Sequence, residues 1–272
     1  MKNRFIVLID FSESSHGLLR FAHNWSKSAE ADLVLVHHTS VLLPAMTPTE
    51  SRRKLTMDAN RDAVNKLKVF AETVVPEGTS VKFIASEKPL VALLGQLLQT
   101  HYNHLVFLGI KKTGLLKRML VGSEAVKIID GVDNLIVAMP QDAICCTPES
   151  VHVAVQKNIP LNVFEFNKFL KFTGEDIHTI AFFSLIAPGD DREATEKYLK
   201  ELTALYSDKR DTSYELYRGD AESAGLKNLI SQKKDDFIVV QRGSRLFVDQ
   251  MFRKFLISEL VYEGRTPLII LP

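Results

Sequence analysis

Short apolar runs alternate with longer amphipathic stretches along this chain, and the pattern goes round twice. Residues 5–9 (Phe-Ile-Val-Leu-Ile) form a continuous apolar run. Such a run suits a strand covered on both faces. Residues 32–38, 81–84, 105–108 and 135–138 supply four more, the last closed by Pro140. Between them apolar positions recur every three or four residues. Leu18, Ala22, Trp25 and Ala29 share one helix face, as do Ala63, Leu67, Phe70 and Val74. Leu90, Leu93, Leu94, Leu97 and Leu98 form a third stripe, with Pro89 placed for its first turn. Ser12 and Ser14 are the caps expected before the first helix. Strand and helix in alternation predict parallel strands joined by crossover helices.

The second half repeats the order, with strands expected at 151–155, 179–183, 214–217, 237–240 and 268–271. Val7 to Val153 is an offset of 146 positions, whereas Leu105 to Phe237 is 132 and Leu135 to Leu268 is 133. A duplication that lost about 14 residues between the second and third strands accounts for all three offsets. The join falls in 141–150, which holds Cys145, Cys146 and Pro148 and has no periodicity. Two domains are therefore expected, 1–143 and 150–272. A chain of 272 residues suits two domains of ordinary size.

Charge and cysteine usage narrow the classes. Lys and Arg total 34 against 33 Asp and Glu, so there is no basic excess of the kind a phosphate-neutralising nucleic-acid binder carries. No apolar run reaches the ~20 residues that cross a bilayer. Neither nucleic acid nor membrane is an expected partner. Two adjacent cysteines build no disulfide framework and no four-thiolate zinc site. A soluble protein of the cytoplasm is the expectation. His37 and His38 are neighbours at a strand end and point to opposite faces, so they do not share a metal ion. No Gly-x-Ser-x-Gly elbow and no phosphate-binding loop ending in Gly-Lys-Ser/Thr occurs.

The segment richest in chemistry follows the fourth strand, from Gly109 to Glu124. A parallel sheet binds ligands beyond the carboxyl ends of its strands, where the strand order reverses. Gly109 stands at such an end, and Gly122 and Ser123 directly precede a helical pattern, where free backbone N–H groups favour an anion. Lys111, Lys112, Lys117 and Arg118 add positive charge. The glycines and Ser123 also have a plain explanation as turn and cap residues.

These residues resemble the universal stress protein family. The first strand ends in Ile9, Asp10, Phe11, Ser12, Glu13, similar to the turn that opens that family. Nucleotide-binding members carry a glycine, two residues, a second glycine, nine residues and then Gly-Ser or Gly-Thr. Gly109, Gly122 and Ser123 match the first and last of these positions, and Lys112 stands where the middle glycine belongs. The resemblance implies two tandem flavodoxin-like (adenine nucleotide alpha hydrolase-like) α/β domains, each a five-stranded parallel sheet with helices on both faces, pairing through their last strands. It implies that Asp10 lies beside adenine and ribose, that His38 lines the adenine pocket, and that Gly109, Gly122 and Ser123 hold the phosphates of ATP with Mg²⁺. Lys112 either donates to a phosphate or fills its space.

The second half departs further. Ser258 and Glu259 align with Ser123 and Glu124, but Ile257 replaces the glycine, and Gln156 and Lys157 stand roughly where Ile9 and Asp10 stood. That half reads as a copy kept for architecture. The leading function is a stress-response regulator that binds an adenine nucleotide in its first domain without dedicated catalysis, acting through a protein partner or a second copy of the chain. A nucleotide-free scaffold and a weak nucleotide hydrolase remain as alternatives.

Overall fold

The computed structural model describes residues 1–110, 124–140, 149–186, 189–218, 236–243 and 267–272. The chain forms two compact units, one of Met1–Gly109 with the stretch that ends at Asn134, the other essentially Leu135–Pro272. Both are α/β, as the alternating pattern predicts.

In the first unit the elements run β1 (Lys2–Leu8), α1 (Glu13–Ser28), β2 (Ala31–His38), α2 (Thr49–Glu72), β3 (Val81–Ser86), α3 (Leu90–Leu97), β4 (Tyr102–Ile110) and α4 (Glu124–Gly131). The strand order is β3-β2-β1-β4, all parallel. Register sets Leu33, Phe5 and Leu105 side by side across three strands. These strands are apolar on both faces because helices cover the sheet. Phe5, Ile6 and Val7 are fully buried, as are Leu105, Val106 and Phe107. Trp25 of α1 packs edge-on against Phe5 and Phe107 at 5.6 Å from each ring, which locks helix to sheet. Burial of each such side chain stabilises by about 1.5–3 kcal/mol.

The second unit contains β5 (Ile136–Pro140), β6 (Ser150–Ala154), α5 (Val163–Thr173), β7 (Thr179–Ile186), α6 (Arg192–Tyr206), β8 (Asp211–Arg218), β9 (Phe237–Gln241) and β10 (Leu268–Leu271). Its order is β5-β10-β9-β6-β7-β8. From β10 to β8 the strands are parallel, and they repeat the first unit's order and register: Ile180, Val151 and Phe237 stand side by side as Leu33, Phe5 and Leu105 do. The last strands of the two repeats, β5 and β10, pair antiparallel, with Val137 opposite Ile269. That pairing matches what the family resemblance implies.

The deletion inferred from the offsets falls mostly in one helix. α2 has 24 residues and its counterpart α6 has 15. The extra turns are the amino-terminal ones, since α2 buries nothing before Ala63. A buried polar tie joins two strands of the second unit. His152 of β6 donates from Nε2 to Asp236 over 2.9 Å, and the Ser150 hydroxyl donates to the other carboxylate oxygen, joining β6 to the start of β9.

Candidate functional site

The chain runs from β1 outward to β2 and β3, then returns to place β4 on the other side of β1. Strand order therefore reverses between β1 and β4, and the crevice beyond their carboxyl ends is where the fold leaves room for a ligand. Asp10 follows β1 and Gly109 lies one residue from the end of β4, so the structure brings these two predicted residues to one end of adjacent strands. A Cβ built on Gly109 would meet only the Leu18 Cδ2, at 3.9 Å, among the described residues. Gly109 does not adopt positive φ. Among the described residues neither packing nor backbone conformation asks for glycine here.

Asp10 is built into the turn from β1 to α1. Its Oδ1 accepts from the Ser12 amide at 2.9 Å and from the Ser15 hydroxyl at 2.7 Å. Ser12 does occupy the cap position of α1, but its hydroxyl donates to Asp10 and makes no capping bond. Phe11 between them has φ of +58°, in the left-handed region that disfavours a bulky side chain. Ring contacts compensate: Phe11 lies 4.5 Å from the His37 ring and 5.8 Å from Phe70, centroid to centroid. His37 in turn donates from Nδ1 to the Ile9 carbonyl at 2.8 Å.

His38 points the other way, as alternation along a strand requires. Its Nε2 donates to the Glu87 carbonyl at 3.3 Å, at the end of β3. It borders a polar group that links α2 to the sheet. The Thr39 hydroxyl donates to Asn60 Oδ1, and Asn60 Nδ2 donates to the Glu87 carboxylate at 2.9 Å. The Asn60 amide, a backbone hydrogen bond, and the charges of Lys88 and His38 hold the Glu87 carboxyl below the usual glutamate range.

Sequence reading missed Phe11, Ser15, Asn60 and Glu87. Asn60 had a signal: it precedes Ala63, Leu67 and Phe70 at spacings of three, four and three, so it is a polar residue on an apolar stripe. Phe11 had none, because positive φ in a phenylalanine leaves no mark on composition. Lys112, Gly122 and Ser123, expected at the phosphates, lie outside the described residues, as do Cys145, Cys146 and Ile257.

In the second unit the Val155 amide donates to the Phe183 carbonyl at 2.9 Å, just as Ile9 donates to Val36 at 2.9 Å. Val155 thus stands in the place of Ile9, and Gln156 in the place of Asp10. This corrects the expected pairing of Asp10 with Lys157 by one residue. By the same register Gln241 takes the place of Gly109. Among the described residues no group of three or more His, Cys, Asp or Glu is placed to hold a metal ion. No helix among them is long and apolar enough to cross a membrane.

Residues 1–134 match the model of the universal stress protein family. The chain is similar to the crystal structure of a universal stress protein from Archaeoglobus fulgidus, with a TM-score of 0.68, 14% identity, and coverage of 100% of this chain and 98% of that one. It is also similar to the cytoplasmic domain of a prokaryotic cation chloride cotransporter, with a TM-score of 0.57, 10% identity, and coverage of 99% and 95%. At these identities the likeness is one of fold. No curated protein matches the chain.

Proposed function

The chain belongs to the universal stress protein family through residues 1–134, and from that premise we propose that it is a stress-response regulator whose first unit binds an adenine nucleotide. The observation that carries this reading is Gly109. It stands at the carboxyl end of β4, beside the point where strand order reverses, and an added side chain there would meet only Leu18 Cδ2, at 3.9 Å, among the described residues. A nucleotide needs close backbone approach, and among the described residues no packing contact or positive φ calls for the glycine.

In this reading Asp10 and His38 border the base and ribose. Gly109 lets the phosphates approach, and Lys112, Gly122 and Ser123 complete the phosphate contacts of ATP with Mg²⁺. Asp10 is held as a fixed acceptor by Ser12 and Ser15, an arrangement that orients a ligand and does not poise a base for hydrolysis. Binding therefore acts by changing what a protein partner or a second copy of the chain meets. The cytoplasm, where adenine nucleotides are available, is the proposed compartment.

Calorimetric titration with ATP and Mg²⁺, after checking the denatured protein for carried-over nucleotide, tests the reading. Saturable binding that Gly109→Val abolishes while the variant stays folded is the expected result. Absence of heat up to ~1 mM, equivalent to about −4 kcal/mol, with no carried nucleotide, would leave a nucleotide-free scaffold.

A further inference from the structure

We infer that Gln241 closes the second unit's crevice with the chain's own loop, so that each chain offers one small-molecule site, in the first unit. The closure rests on geometry alone. The count of ligand sites rests in addition on the nucleotide reading above.

The second unit has the same reversal of strand order, between β6 and β9. Gln241 ends β9 there. Its Oε1 accepts from the Asn162 amide at 2.6 Å, and its Nε2 donates to the Pro160 carbonyl at 3.1 Å. Pro160 and Asn162 belong to the segment that leaves β6 for α5. A primary amide has an NH2 that donates and a carbonyl that accepts, and this pair of backbone groups engages both. Glycine, as at position 109, offers neither.

The loop that Gln241 holds takes the place of the helix's first turn, since α5 has 11 residues where α1 has 16. Between β1 and α1 the chain spends four residues, 9–12, whereas between β6 and α5 it spends eight, 155–162. The longer path lets the segment reach across to β9. Two further bonds fix it. The Leu161 amide donates to the Tyr198 hydroxyl of α6 at 2.8 Å, and Asn162 Oδ1 caps α5 by accepting from the Glu165 amide at 3.2 Å. Leu161 is buried. Three consecutive residues are thus pinned at the end of β9, at the position that corresponds to Gly109. Side chain and loop belong together: the loop supplies the backbone groups, and Gln241 supplies the amide that matches them.

The test uses the full chain and its Gln241→Gly and Tyr198→Phe variants. Amide hydrogen exchange resolved at single residues should show Asn162 protected in the wild type, with protection falling roughly tenfold in Gln241→Gly, the scale of one lost hydrogen bond. Leu161 should respond to Tyr198→Phe more than to Gln241→Gly. An Asn162 amide that exchanges freely in the wild type, or one indifferent to Gln241→Gly, would overturn the closure whether or not nucleotide binds. Titration with ATP and Mg²⁺ should saturate at one equivalent per chain, and two equivalents would also overturn it. Failure of ATP to bind at all would count against the nucleotide reading and leave the exchange result to decide the closure.

Discussion

His37 donates from Nδ1 to the Ile9 carbonyl over 2.8 Å, tying the end of β2 to the turn that leaves β1. A carbonyl only accepts, so this imidazole carries its proton on Nδ1. The Phe11 ring lies against the same imidazole and keeps its residue in the left-handed region. Tautomer, ring contact and backbone strain at the candidate site are therefore one arrangement.

Phe11 gives an inverted substitution order. Phe11→Ala loses the ring contacts and retains the strain. Phe11→Gly loses the same contacts and relieves it. Both variants should be less stable than the wild type, with Phe11→Gly the more stable of the two by about 1 kcal/mol. Urea unfolding of the pair measures this, and equal stabilities would contradict the strain.

Gly109→Ala should be neutral or stabilising, by up to about 1 kcal/mol, because its φ is not positive and, among the described residues, the new methyl meets only Leu18, at ordinary contact distance. Thermal unfolding checks it. A clear drop in melting temperature would show that glycine is kept at 109 for folding and not for a ligand.

His23 should make the protein sensitive to mild acid. It is buried on α1, and neither ring nitrogen has a hydrogen-bond partner among the described residues. Burial first, and then the charge of Lys27, hold its pKa below the usual histidine value. The unfolded chain takes up this proton near pH ~6.5 while the folded chain resists it. Its contribution to stability is complete above that pH and is lost as pH falls below it, by at most about 1.4 kcal/mol per pH unit. His23→Leu should gain on the wild type as pH drops from about 7.5 to about 5.5. A difference between the two proteins that stays constant over that interval would refute the assignment.

Asn60→Asp should place a second carboxylate against Glu87, which Asn60 now supplies with a donor. The variant should be destabilised near neutral pH by repulsion between like charges. The deficit should shrink as pH falls towards about 4.5, where carboxylates begin to protonate. Chemical denaturation at both pH values decides it, and a pH-independent deficit would point to lost packing instead.

Much of the fold was legible along the chain because strands buried on both faces must be apolar throughout. All ten runs, from residues 5–9 to residues 268–271, became strands. The offsets of 146 and 132 foretold that α6 would be shorter than α2. Of the residues expected at the candidate site, Asp10, His38 and Gly109 sit at or beside strand ends, which periodicity already marks. Asn60 and Glu87 lie 27 positions apart, and their meeting depends on where α2 crosses the sheet.

The sequence by itself determined the order of elements and the duplication, since these follow from hydrophobic period and chain direction. Tertiary structure alone decided that Phe11 adopts a left-handed backbone against His37, and that Asp10 spends an oxygen on Ser12 and Ser15. It also decided that Gln241 clasps Pro160 and Asn162, across about 80 residues of chain. Such contacts join groups remote in sequence through single hydrogen bonds whose direction and distance are set only when the strands stand side by side. A one-dimensional pattern records which residues are apolar, and it carries no trace of which amide a side chain will face.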